Sequence, residues 1–146
     1  MPGRSVLEAL LTEAFGAPVV LDRVEHLAPW AVLRAYPAGP GNESGTGPGN
    51  ESGNGPPASV IVKWLRSDPS GLRMDARQVV TERAALRFLS EDLGLGLAPR
   101  VLADDMAASL LVLEDLAPRT PLDRTLRREG AAHAAAELAA FARALG

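Results

Sequence analysis

The fold of this chain is decided by the stretch Val60-Ile61-Val62-Lys63-Trp64-Leu65. Its β-branched and aromatic residues are bounded by prolines on both sides and predict a short, largely buried strand. Lys63 lies in the middle of this strand and is the only lysine among the 15 basic residues of the chain. Because an unpaired buried charge is costly, the sequence predicts a carboxylate or phosphate partner for Lys63.

A carboxylate that could pair with Lys63 lies on the long helix predicted for residues 75–93. Apolar residues recur in this helix at spacings of three and four, and Glu82 falls on the same face as Val79 and Leu86. No basic residue lies three or four positions from Glu82, so we expect a distant cation as its partner. The alternative is that rotation of the helix lets Glu82 reach water or Arg83. The sequence therefore favours an ion pair between Lys63 and Glu82.

The composition excludes several functional classes. The 146 residues are enough for about one domain, and the formal net charge of −3 argues against a nucleic-acid-binding surface. Cysteine is absent and the two histidines, His26 and His133, are far apart in sequence, so no metal site is expected. The sequence has neither the apolar run of a membrane span nor the apolar core of a signal peptide. We therefore expect a soluble, cytoplasmic protein that binds neither nucleic acid nor membrane.

The remaining sequence predicts an α+β fold. Ser5-Val6-Leu7-Glu8 has the form of a capping box and begins a helix predicted for residues 5–15. Further strands are predicted at residues 19–24, 30–36, 99–103 and 109–114, and further helices at 121–128 and 131–145. Residues 25–29 are short enough to connect the first two strands as a hairpin. Residues 37–58 are nearly all Gly, Pro, Asn, Glu and Ser, which predicts a disordered insertion.

The order of these motifs resembles the N-terminal lobe of kinase-like phosphotransferases, and more specifically the aminoglycoside phosphotransferase and choline kinase group. The resemblance rests on Val60-Ile61-Val62-Lys63 as the lysine strand, residues 81–89 as the glutamate helix, and residues 110–116 as the strand that enters the hinge. It implies a sheet of about five antiparallel strands packed against one long helix, with helices at both termini. The implied units are an N-terminal helix at 1–16, the kinase-like N-lobe at 17–116, and the hinge with the first helices of a truncated C-lobe at 117–146.

The resemblance also implies a function. The chain would be the ATP-binding lobe of a small-molecule phosphotransferase, which transfers a phosphoryl group from ATP to a hydroxyl acceptor with the help of Mg²⁺. Lys63 would contact the α- and β-phosphates, and Glu82 would orient Lys63. The backbone carbonyl of Glu114 and the backbone amide of Leu116 would bind the adenine edge, and Leu113 would line the pocket behind it.

Two departures from the family pattern affect these expectations. Residues 25–30, which correspond to the loop over the phosphates, contain no glycine. The chain also contains no residue that matches the catalytic aspartate or the metal-binding aspartate of the family, so we expect no catalysis by this chain alone and assign no magnesium ligand. For Glu114 and Asp115, the simpler interpretation as solvated acids at the end of a strand is compatible with the resemblance, because the hinge acts through its backbone. The acceptor stays open, since the C-lobe supplies the acceptor site in such enzymes.

Two other interpretations remain at the level of sequence. The chain could be a non-catalytic, kinase-like remnant that acts as an interaction module. Its partner, or the missing C-lobe, would then dock on the apolar face formed by Leu138, Phe141 and Leu145 of the last predicted helix. Alternatively, the chain is a small α+β domain in which Lys63 and Glu82 pair only to complete the core.

Overall fold

Five strands, β1 Leu21–Ala28, β2 Val32–Pro37, β3 Val60–Trp64, β4 Val101–Asp105 and β5 Leu110–Glu114, form one antiparallel sheet. Their order in the sheet is β1-β2-β3-β5-β4, with β3 at its centre. The computed structural model describes residues 2–28, 31–38, 56–64 and 76–145. In chain order the elements are α1 Arg4–Phe15, β1 Leu21–Ala28, β2 Val32–Pro37, β3 Val60–Trp64, α2 Ala76–Arg87, β4 Val101–Asp105, β5 Leu110–Glu114, α3 Leu122–Glu129 and α4 Ala135–Leu145. The predicted α+β class, the five-stranded antiparallel sheet and a helix near each end are confirmed. The described residues do not include Trp30, Leu65 or most of the insertion predicted at 37–58.

The register of the strands places Lys63 in a row that crosses four strands. Val32 of β2 lies opposite Lys63, Lys63 opposite Leu111 of β5, and Leu111 opposite Asp104 of β4. Residues directly opposite one another in antiparallel strands have side chains on the same face of the sheet. The side chains of Lys63 and Asp104 therefore project from the same face, with one strand between them.

The two faces of the sheet carry different helices. Helix α1 packs on one face, where Leu7 and Leu11 join Leu33, Val62, Val112 and other buried residues in the larger core cluster. Helix α2 packs on the other face, where Val79 contacts the cluster that contains Leu111 and Leu113. Because β5 contributes to both clusters, residues 110–113 are buried throughout, as the continuous apolar run of this strand predicts.

The capping box predicted at the start of α1 is wrong. The helix begins one residue before Ser5, Gly3 is its N-cap, and no side chain of the described residues caps it. Glu8 instead accepts a hydrogen bond of 2.9 Å from the backbone N–H of Leu21, at the start of β1. The carboxylate thus connects the helix to the sheet. Helix α1 ends at Phe15, and its C-cap is Gly16, whose φ of 65° is a left-handed conformation that glycine adopts without strain.

Strand β1 is longer than the predicted strand at 19–24. Residues 25–28, predicted as part of the connection to the next strand, belong to β1 and pair with β2. The pairing is irregular between Leu21 and Arg23 and again between His26 and Ala28. Such bulges interrupt the two-residue alternation by which a strand is recognised in a sequence. Strand β1 is also an edge strand, on which polar residues such as Glu25 and His26 are common.

The single long helix predicted at 75–93 is also wrong. Helix α2 has 12 residues and ends at Arg87, and a π-helical turn, Phe88–Asp92, follows it. The backbone N–H of Leu93 donates to the carbonyl of Phe88 at 3.0 Å, which closes this wider turn. The hydroxyl of Ser90 donates to the carbonyl of Leu86 at 2.9 Å. A serine that binds a carbonyl four residues earlier competes with the helix backbone for that acceptor, which gives a physical reason for the change of pitch.

The chain divides into two compact units, Met1–Asp115 and Leu116–Gly146. The second unit contains α3 and α4. The helix predicted at 131–145 begins as α4 only at Ala135, after a turn at residues 131–134. In the described ranges, none of the helices combines the length and the apolar character needed to cross a membrane. The identification of the two units as an N-lobe and part of a C-lobe stays a prediction.

Candidate functional site

The candidate site is centred on the ion pair between Lys63 and Glu82. The Nζ atom of Lys63 on β3 lies 2.5 Å from Oε1 of Glu82 on α2, as the sequence predicts. The two side chains are 39% and 38% exposed, so the amine is more accessible than the prediction of a largely buried strand implies. Ion pairs with this degree of exposure typically contribute less than about 1 kcal/mol to stability. The pair is therefore a poor stabiliser of the core, while its lysine stays accessible to an anion.

The pleat of β3 directs Lys63 towards α2. Val60 and Val62 are fully buried on the face of α1, so their neighbours Ile61 and Lys63 project from the opposite face. Ile61 packs against the small cluster under α2, and Lys63 lies two residues further along the strand on the same face. The strand therefore anchors the backbone of Lys63 on both sides while its amine extends to Glu82.

A second group of charges connects α2 to β4. Asp104 Oδ2 lies 2.8 Å from Nε of Arg83 and 3.0 Å from Nη2 of Arg87, and the side chain of Asp104 is only 14% exposed. The sequence prediction placed Asp104 in the connection between two strands, whereas it belongs to β4. The spacing of Arg83 and Arg87, four residues apart on one helix, is the signal that could have indicated a shared acceptor.

A third group connects β2 to the end of β5. Arg34 binds both carboxylate oxygens of Asp115, with Nε 2.5 Å from Oδ2 and Nη2 3.3 Å from Oδ1. Ser59 Oγ donates a further hydrogen bond of 2.7 Å to Oδ2. The side chain of Asp115 is 4% exposed, so the simpler interpretation of Asp115 as a solvated acid is wrong. The hydrogen bond to Asp115 raises the pKa of Arg34 above its ordinary value.

Arg34 and Lys63 share the same face of the sheet. Arg34 lies opposite Ile61 on β3, and Ile61 lies opposite Leu113 on β5. The side chain of Arg34 therefore crosses β3 beside Ile61 to reach Asp115, the residue that follows β5. This ion pair lies on the same face of the sheet as Lys63, at the edge where β5 ends.

The three residues expected at the adenine lie in different surroundings. Leu113 is buried in the cluster under α2, next to Leu111. Glu114 ends β5, its backbone N–H donates to the carbonyl of Arg100 at 2.9 Å, and its carboxylate lies 3.4 Å from Nε of Arg100. Leu116 is the first residue of the second unit, where its carbonyl accepts a hydrogen bond from Arg119. Their roles at a nucleotide stay predictions.

The predicted site does not coincide with the depression at the start of α2. A depression of about 380 Å³ at the start of α2 is lined by Arg77, Val79, Val80, Thr81, Met106 and Ser109, and by none of the predicted site residues. No group of three or more His, Asp or Glu side chains in the described ranges is arranged to hold a metal ion.

The fold and the site define an α+β protein in which the central strand of an antiparallel sheet presents a lysine to a glutamate of the covering helix. Comparison of the chain with protein-family models, with curated proteins and with solved structures finds no match.

Proposed function

We propose that residues 17–116 form the nucleotide-binding lobe of a kinase-like small-molecule phosphotransferase of the aminoglycoside phosphotransferase and choline kinase type. Lys63 binds the α- and β-phosphates of ATP, and Glu82 holds Lys63 in place. The observation that carries the proposal is the half-exposed ion pair between a lysine at the centre of the sheet and a glutamate of α2.

The geometry of this pair suits phosphate binding better than core stabilisation. Phosphoryl transfer depends mainly on positioning and on neutralisation of the phosphate charge, so a lysine must be fixed yet accessible. The amine of Lys63 meets both conditions, since its strand is anchored in the sheet and its side chain is 39% exposed. The interpretation that the pair only completes the core predicts a pair shielded from solvent, and this exposure argues against it.

The base of the nucleotide is assigned to the end of β5. By the resemblance, the backbone carbonyl of Glu114 and the amide of Leu116 bind the adenine edge, and Leu113 lines the pocket. The acceptor is a hydroxyl compound of unassigned structure.

The alternative, a non-catalytic interaction module, is supported by one observation, the exposed side chain of Phe141 on α4. Nucleotide binding that depends on Lys63 distinguishes the proposal from this alternative.

The proposal is tested by measuring the affinity for ADP by isothermal titration calorimetry in the wild type and in Lys63→Ala. Loss of a charge-assisted hydrogen bond to phosphate should cost about 1.5–3 kcal/mol, which is roughly a 10–100-fold weaker Kd. Lys63→Arg, which keeps the charge, should retain part of the affinity.

Arg4→Ala is the matched control, because it removes one positive charge from α1, on the opposite face of the sheet, where Arg4 donates to the carbonyl of Asp22. This variant should bind ADP as the wild type does. Equal affinity for ADP in the wild type and Lys63→Ala, or no binding by either, would refute the proposal.

A further inference from the structure

We infer that Asp104 is a positioning residue that sets the rotation of α2 and thereby holds Glu82 against Lys63. The effect of Asp104 on nucleotide binding rests on the function proposed above, whereas its effect on the ion pair does not. Asp104 and Lys63 belong to the same row across the sheet and are separated only by Leu111 of β5. Adjacent strands are about 4.8 Å apart, so the backbones of these two residues lie roughly 10 Å from each other.

Helix α2 lies between Asp104 and Lys63, the two residues of the sheet that pair with its charged side chains. Its apolar residues Val79 and Leu86 pack with the cluster of Leu111 and Leu113, which places the helix over β5. Strand β5 is flanked by β3 on one side and by β4 on the other. The helix therefore has one charged contact on each side: Glu82 with Lys63 on β3, and the two arginines with Asp104 on β4.

The sequence of α2 couples the two contacts. Glu82 and Arg83 are neighbours, so their side chains leave the helix about 100° apart, while Arg83 and Arg87 share one side. A rotation of α2 that lifts Glu82 off Lys63 also displaces both arginines from their positions at Asp104. The reverse holds as well, since the helix turns as one body. Asp104 and Lys63 thus fix the same rotational position from opposite sides.

Asp104 is the less exposed of the two acceptors that hold α2. It lies within 3.0 Å of nitrogen atoms of Arg83 and Arg87 and is 14% exposed, whereas Glu82 makes a single contact with Lys63 and is 38% exposed. Charged contacts gain strength as their exposure to water decreases. The apolar contact that α2 makes with the sheet contains three buried residues, Val79, Leu111 and Leu113, and the partly buried Ile61, Leu86, Val101 and Met106 pack against them. The charged contacts at Asp104 add to this apolar contact in setting the rotation of α2.

The experiment uses the fact that Lys63 is the only lysine of the chain. Reductive methylation with ¹³C gives a single side-chain amine signal in an NMR spectrum, separate from that of the terminal amine. The shift of this signal in Glu82→Gln defines the position without the ion pair. In Asp104→Asn we expect the signal of Lys63 to move at least halfway from its wild-type position to its position in Glu82→Gln.

Glu91→Gln is the matched control, because Glu91 also lies 3.8 Å from Arg87 but belongs to the π-helical turn that follows α2 and not to the sheet. Its Lys63 signal should stay at the wild-type position. Should Asp104→Asn fail to fold, Arg87→Gln keeps the contact of Arg83 with Asp104 and should move the signal less but in the same direction. A wild-type signal in every folded variant of this set would overturn the inference.

A second measurement separates positioning from general destabilisation. If the wild type binds ADP, Asp104→Asn should weaken the affinity about threefold to tenfold, and in a Glu82→Gln background it should cause no further loss. Additive losses would mean that Asp104 acts independently of Glu82 and would contradict the inference. If the wild type does not bind ADP, the proposed function fails, and the Lys63 signal still decides whether Asp104 positions α2.

Discussion

Two neighbouring acids at the end of β5 have different environments. The carboxylate of Glu114 is paired with Arg100 at the surface, whereas that of Asp115 is 4% exposed and binds Arg34 and Ser59. In the sequence both acids simply follow an apolar strand, and the partner Arg34 lies 81 residues earlier. Contacts over such a separation depend on strand order and register, which local patterns do not determine. The burial of Asp115 is therefore seen only in the structure and could not be predicted from the sequence.

The Arg34–Asp115 pair should contribute substantially to stability. Arg34→Met removes the cation that neutralises a nearly buried carboxylate, and loss of one partner of a buried pair costs about 3–5 kcal/mol. Because Arg34 is partly exposed, we expect a loss of about 2–3 kcal/mol in the free energy of urea unfolding. The pKa of Arg34 is raised, so its contribution is complete below the ordinary arginine value and is lost only as pH rises through the folded-state pKa. Titration of Arg34 should therefore add no pH dependence near neutrality.

The comparison for this prediction is Arg100→Met. Arg100 pairs with the carboxylate of Glu114 at the surface, so its loss should cost less than about 1 kcal/mol. Equal losses for Arg34→Met and Arg100→Met would mean that the burial of Asp115 adds nothing to the pair.

At the scale of elements, strands with strong local signals were predictable from the sequence. The apolar run at 110–113 and the β-branched stretch at 60–62 form the two strands that pair at the centre of the sheet. Elements whose ends depend on side-chain hydrogen bonds or bulges were not. Strand β1 continues through two irregularities, and α2 gives way to a π-helical turn where Ser90 binds the carbonyl of Leu86. Periodicity carries no information about either event.

The residues of the candidate site also differ in whether the sequence predicts their contacts. The ion pair of Lys63 and Glu82 was predictable, because each residue is a charged group at an apolar position with no local partner. Asp104 was missed, because it directly follows Ala103 at the point where β4 has a register shift, and the sequence there suggests a loop. The carboxylate of Asp104 connects β4 to α2, the helix that carries Glu82. The carboxylate of Asp115 connects the end of β5 to Arg34 of β2.

The role of Glu8 can be tested at the level of the first helix. Since Glu8 accepts the backbone N–H of Leu21, Glu8→Ala leaves this amide without its acceptor and should destabilise the protein by about 1–2 kcal/mol. Ser5→Ala should change stability by less than about 0.5 kcal/mol, because Ser5 lies inside the helix and not at its N-cap. Chemical denaturation of both variants measures these values. A larger loss in Ser5→Ala than in Glu8→Ala would restore the capping box.

At the scale of the first unit, the face that carries Lys63 is divided into two regions. Towards β4 and β5 it is apolar and packs with α2. Towards β1 and β2 it is polar: Tyr36 donates to Glu25 at 3.0 Å, and the guanidinium of Arg23 lies 4.0 Å from the centre of the Tyr36 ring. Lys63 lies on the strand between the two regions, with α2 on one side and polar groups on the other. This placement suits a lysine whose amine binds a charged ligand while its backbone stays paired in the sheet.

A ligand that binds at Lys63 should stabilise the folded protein as a whole. At a concentration 100 times its Kd, ADP should add about 2.7 kcal/mol, which for a domain of this size raises Tm by about 10 °C. Adenosine, which lacks phosphate, should raise Tm far less at the same concentration, and ADP should have little effect on Lys63→Ala. Differential scanning fluorimetry of both proteins with both ligands measures this. An equal rise with adenosine and ADP would assign the binding to the base alone, and no rise with ADP would exclude Lys63 as a phosphate-binding residue.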